Sequence, residues 1–185
     1  MPYFKSMPPN AGPPAVYLRF PGIYGPWSKM SQALMNGPSS FSEGERELIF
    51  AYAAGVSACE FVYVAHAEVA YVWGIEPGLV ERLLQNLDSA PIEPRLKSLL
   101  SYVRTLSLDP NAITQTDVDA VLNAGWSENA LLDAIALTAR AAFMHRLVGG
   151  CGFTPLTREV ARKHARKRVD SGYVNLYTAF REDKS

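Results

Sequence analysis

From Ser42 onward the apolar and polar positions follow helical spacing, and no alternating pattern persists beyond a few residues, so this part of the chain reads as successive α-helices. Start signals divide it. Ser42 with Glu45, Ser57 with Glu60 and Thr114 with Asp117 each fit a capping box or its aspartate variant, and Ser127 precedes the long apolar run ENALLDAIALTARAAFMHRLV. Pro77 and Pro94 stand where proline is tolerated, in a first helical turn, and Asp109-Pro110 and Gly125 close connections. The final segment from Thr157 to Asp183 carries REVARKHARKRV and then YVNLYTAF, with Gly172 between them.

Residues 1 to 40 differ. They hold eight of the 13 prolines, several beside glycine, which predicts little regular structure apart from a short helix over Trp27 to Met35. Bulky residues such as Tyr17, Leu18, Phe20, Tyr24 and Trp27 predict that this arm wraps a surface or reaches a neighbouring subunit. The expected organisation is an N-terminal arm, 1–40, and an all-α helical domain, 41–185.

With 185 residues, 48% of them hydrophobic, the chain can bury a sizeable core. Its 18 basic and 18 acidic residues cancel, which argues against a generic nucleic-acid or anionic-membrane binder. Arg158, Arg162, Lys163, Arg166, Lys167 and Arg168 read as a solvated helix face. No apolar run has the length of a membrane span and the N-terminus lacks a secretory pattern, so a cytoplasmic location is expected. No phosphate-binding glycine loop, dinucleotide fingerprint or Gly-x-Ser-x-Gly turn is present, and no tight metal-ligand spacing, so neither a cofactor nor a metal is expected.

Candidate chemistry gathers in residues 47 to 66. If helices over 42–55 and 57–73 are separated at Gly55-Val56-Ser57 and fold back on each other, Glu47 and His66 lie at similar heights on facing helices. In one continuous helix they would stand roughly 28 Å apart. A carboxylate accepting one imidazole hydrogen fixes the tautomer and leaves the other nitrogen for proton transfer, although the same pair can simply bridge two helices. Cys59, in the first turn if Ser57 is the cap, would have its thiolate favoured by the helix N-terminus, and it shares a face with Val62 and His66. Cys59 and Cys151 are the only cysteines, too few for a disulfide framework, and each is open to a buried or a reactive reading. Tyr63 and His145 are further candidates to line the site, His145 with Arg146 as a possible anion pair; the glycines around Cys151 favour a packing role for it.

The stretch FSEGERELIFAYAAGVSACEFVYVAHAEVA resembles the core motif of the carboxymuconolactone decarboxylase and alkyl hydroperoxidase D (AhpD) superfamily: a glutamate, a Cys-x-x-Cys pair, then a histidine four residues on. Glu47, Cys59 and His66 match the glutamate, the first cysteine and the histidine; Val62 replaces the second cysteine. The block from LLSYVRTL to VGGCGFTP resembles the peroxidase-related branch, so that the match spans roughly residues 40 to 155. The resemblance implies an AhpD-type helical bundle, association into trimers or hexamers, and a thiol-dependent peroxidase-like oxidoreductase with Glu47, Cys59 and His66 as its catalytic residues. With Val62 in place of a thiol, that cycle would need an external thiol reductant, or Cys151, to reduce an oxidised Cys59. The decarboxylase branch implies an alternative, a cofactor-free acid/base enzyme acting on a small organic acid through Glu47 and His66. A non-catalytic ligand binder or scaffold is the third reading.

Overall fold

Helix α3, Glu43–Val56, runs through the middle of the structure because almost every residue from Arg46 to Ala54 is buried, so it has no solvent face to present. The computed structural model describes residues 1–176; the end of the expected YVNLYTAF segment lies outside them. Around α3 pack α4 (Glu60–Val72), α5 (Leu79–Gln85), α6 (Pro94–Leu108) and α8 (Glu128–Cys151), with α7 (Gln115–Asn123) against α6 and α9 (Arg158–Ser171) against α4. A 3₁₀ turn, Pro110–Ala112, links α6 to α7. No strand occurs among the described residues, in accord with the all-α expectation.

Two expected capping boxes form. The Ser42 and Thr114 side chains each meet the third residue of their helix while Glu45 and Asp117 reach back to the cap amide, at 2.8 Å in both cases. Ser57 does not cap a helix start; it ends α3, and Cys59 stands at the start of α4. The chain reverses in a Schellman turn: the Ala58 amide donates to the Gly55 carbonyl and the Cys59 amide to the Ala54 carbonyl, both at 2.9 Å, with Ala58 left-handed at φ 57°. The reversal therefore occupies residues 57–59, at the far end of the expected Gly55-Val56-Ser57 break and just beyond it. Gly55 stays within the helix, and Leu84 packs so closely against it that a Cβ there would lie 2.5 Å from the Leu84 Cδ1.

The proline-rich segment is more regular than its composition predicts. It forms α1 (Pro13–Tyr17) and a 16-residue α2 (Pro21–Asn36), longer than the expected helix over residues 27–35. Pro13 and Pro21 sit at first helical positions, where the missing amide hydrogen has no partner to lose, and Pro26 interrupts only one bond near the start of α2. Tyr17, Tyr24 and Met35 from this segment are buried with the core residues of α3 and α8. The extreme N-terminus is tied down as well, by Tyr3 N–H to the Cys151 carbonyl at 3.0 Å and the Met1 amine to Thr154 Oγ1 at 3.1 Å.

Candidate active site

The reversal at residues 57–59 brings α3 and α4 side by side, and Glu47 meets His66 across the seam. Nδ1 of His66 lies 2.6 Å from Glu47 Oε2, and both residues are buried. The second carboxylate oxygen is also engaged: the Tyr173 hydroxyl, just beyond α9, donates to Oε1 at 2.6 Å. On the far side of the ring, Arg168 Nη1 of α9 stands 3.1 Å from His66 Nε2. A guanidinium can only donate, so Nε2 accepts and the hydrogen sits on Nδ1, directed at Glu47. Phe50, one turn after Glu47, tilts against the imidazole with ring centroids 4.2 Å apart.

These contacts set the protonation states. Burial depresses the His66 pKa to about 4; the Glu47 charge opposes this, and Arg168 and Arg140 reinforce it. Burial alone would raise the Glu47 carboxyl, but its interactions with His66, Arg168 and Tyr173 outweigh burial and hold it below its ordinary value. At neutral pH the pair is a carboxylate and a neutral imidazole.

His66 opens onto a cavity of about 440 Å³, within the usual range for small-molecule sites. The α4 residues Val62, Ala65, His66 and Val69 form one wall; α8 contributes Arg140 and Met144, α9 contributes Ala165 and Arg168, and α1 and α2 contribute Tyr17 and Trp27. The lining is mostly apolar, with cationic and imidazole side chains among it.

Three expected site residues stand elsewhere. Cys59 is buried and is absent from the cavity wall, which begins with Phe61 and Val62 on α4. Burial pushes its thiol pKa up, the Val62 amide offsetting this only in part, so the low-pKa environment expected from a helix N-terminus is not realised. Tyr63, about 100° around α4 from Val62, leaves the cavity and receives Arg158 Nη2 at 2.5 Å. His145, one residue past the lining Met144, also turns out of the cavity and is half-buried. Cys151 is buried at the end of α8, and both cysteines are free thiols.

Conversely, sequence reasoning missed Arg140, Arg168 and Tyr173. Arg140 carried a signal, being the one cation between Asp133 and His145 in an apolar helix. Arg168 carried none, since it looks like its neighbours in a run of six basic residues. Among the described residues no three histidine, cysteine or acidic side chains group as a metal site, and no helix is long and apolar enough to cross a membrane.

Comparison with solved structures places this architecture. An alkylhydroperoxidase AhpD-core protein of Ralstonia eutropha JMP134, described as peroxidase-related, superposes with a TM-score of 0.72 at 21% identity, covering 80% of this chain and 78% of that one. The fold is that of the AhpD core. A peroxidase-related protein of Silicibacter sp. TM1040 shares it, with a TM-score of 0.67 at 19% identity over 84% of this chain and 96% of its own. No family model and no curated protein matches the sequence. The AhpD-core likeness agrees with the superfamily resemblance of residues 41–70.

Proposed function

We propose that this AhpD-fold protein is a cofactor-free acid/base enzyme for a small organic molecule, with His66 as the proton-transfer group and Glu47 as its orienting partner. The observation that carries this reading is the cavity wall at α4, where a neutral, tautomer-fixed imidazole is present and position 62, matched to a family thiol, is valine. A substrate hydrogen presented to Nε2 takes the place of the Arg168 N–H; the proton moves to Nε2, and Glu47 stabilises the imidazolium through Nδ1–H. Tyr173 holds the carboxylate in place by occupying its other oxygen. Positioned proton transfer of this kind contributes on the order of 10²–10⁴-fold in rate.

A second reading, thiol-dependent peroxide reduction at Cys59, is favoured by one specific observation: Cys59 begins the helix that carries His66, one turn before the lining Val62. The two readings separate in one experiment. A panel of small keto acids and lactone carboxylates is incubated in D₂O and followed by NMR for carbon–hydrogen exchange or loss of carboxylate, alongside tert-butyl hydroperoxide reduction with dithiothreitol. Cys59→Ser retaining turnover of an acid while Glu47→Gln and His66→Gln lose it supports the acid/base reading. Peroxide reduction that Cys59→Ser abolishes, with no acid turned over, overturns it.

Assembly as a homo-trimer or hexamer belongs to the same proposal, supported by exposed apolar side chains on α2 and the segment before it, Leu18, Phe20 and Ile23. Light scattering on the purified chain tests it.

A further inference from the structure

Arg140 enters the cavity from α8, yet only 5% of its surface is exposed. Its Nε donates to Ser31 Oγ at 3.0 Å, while its Nη1 is buried and has no hydrogen-bond partner among the described residues. Glu47 does not fill that role: its Oε2 is engaged by His66 and its Oε1 by Tyr173, and no hydrogen bond joins it to Arg140 among the described residues. What surrounds the guanidinium instead is aromatic: the rings of Phe50, Tyr173 and Trp27 lie 4.6, 4.7 and 5.7 Å from its central carbon. Ring faces balance part of a cation's charge but give no lone pair to an N–H that lies in the guanidinium plane.

A guanidinium buried this far from water and left with an unsatisfied donor calls for an acceptor, and its charge favours an anionic one. The planar fork fits a carboxylate. Next to it the cavity supplies apolar walls from Tyr17, Phe61, Val69, Met144 and Leu156. We infer that Arg140 is the anchor for a small organic carboxylate with an apolar body, held so that the rest of the ligand lies against His66. This inference rests on the cavity being a ligand site, as in the proposed function, and names the ligand class.

The test is calorimetric titration of the full chain with benzoate and with benzamide, two probes of nearly the same shape that differ in charge. Benzoate binding at least tenfold tighter than benzamide is expected, with that preference lost in Arg140→Met and partly kept in Arg140→Lys. Circular dichroism and a melting curve accompany each variant; should Arg140→Met fail to fold, the wild-type preference and the Arg140→Lys response decide the matter. Equal affinities for the two probes, binding of neither, or a preference that survives in folded Arg140→Met overturns the inference. A wild-type benzoate preference that Arg140→Met abolishes, with no acid turned over in D₂O, fails the acid/base reading and leaves the carboxylate anchor standing; acid turnover that depends on His66 without any benzoate preference removes the anchor alone.

Discussion

At the scale of single residues, His66 ties stability and chemistry to one proton. Its folded pKa of about 4 lies below its ordinary 6.5, so the unfolded chain binds more protons between those values. The stabilising contribution of a neutral His66 is therefore complete above pH 6.5 and is lost as pH falls through about 4. Melting temperature measured from pH 8 to 4 should decline over that window, and His66→Gln should flatten the decline. Acid/base turnover should follow the same group, remaining level near neutrality and falling on the acid side. Replacement of Glu47 by alanine leaves the His66 Nδ1–H and the Tyr173 hydroxyl as buried donors without an acceptor and should cost about 1–3 kcal/mol for each in a denaturant titration. The Glu47–His66 pair was legible in the sequence because a helical hairpin fixes which heights meet. Cys59 misled for a related reason: an N-terminal position predicts a stabilised thiolate only where solvent or a cation reaches the sulfur, and here the core encloses it. Its alkylation by iodoacetamide at pH 7.5 should be slow, whereas Val62→Cys, one turn before His66 on the cavity wall, should react considerably faster.

Among the elements, the turn between α3 and α4 decides whether the site exists. Three other helix ends, at Gly74, Gly125 and Gly152, place glycine at the left-handed position, with φ of 93°, 94° and 67°. Ala58 occupies the same position without that freedom. A left-handed non-glycine residue costs roughly 1–2 kcal/mol, and the greater flexibility of glycine in the unfolded chain returns roughly 0.5–1 kcal/mol of any gain. Ala58→Gly should thus stabilise by up to about 1 kcal/mol, raising the melting temperature by about 2–4 °C in a chain of this size. Three residues earlier the reverse substitution has the opposite sign. Gly55→Ala brings a Cβ against the Leu84 methyls, an overpacking cost of about 1–3 kcal/mol between α3 and α5 that alanine in mid-helix offsets by about 0.5–1 kcal/mol, so the expected net loss is at most about 2 kcal/mol. Sequence reasoning placed the break at Gly55-Val56-Ser57, whereas α3 runs to Val56 and the left-handed residue is Ala58. Here the glycine answers to packing and an alanine bears the turn, a distinction set by Leu84, which lies 29 residues further along the chain.

Across the whole molecule the cavity is assembled from parts distant in sequence: α1 and α2, the α4 wall, Arg140 on α8, and Arg168 and Tyr173 at the end of α9. Helix periodicity revealed that these elements exist but not which faces meet, and for that reason the basic run of α9 read as solvated. Three of its arginines are instead spent on partners. Arg168 reaches His66, while Arg158 and Arg162 converge on the buried carboxylate of Glu68, at 3.3 and 3.2 Å, and Arg158 also pairs with Glu81. This clamp joins α9 to α4, where Arg158 also reaches the Tyr63 hydroxyl, and fixes α9 so that its last turns deliver Arg168 and Tyr173. Glu68→Gln should leave the core intact but weaken that hold, since both arginines are at least a third exposed and recover solvation when released. The expected result is a stability loss of only about 1 kcal/mol, faster hydrogen exchange confined to α9, and turnover reduced more than stability. Faster exchange in α3 and α4 to the same degree as in α9 would show that the clamp supports the bundle generally rather than the placement of these two side chains.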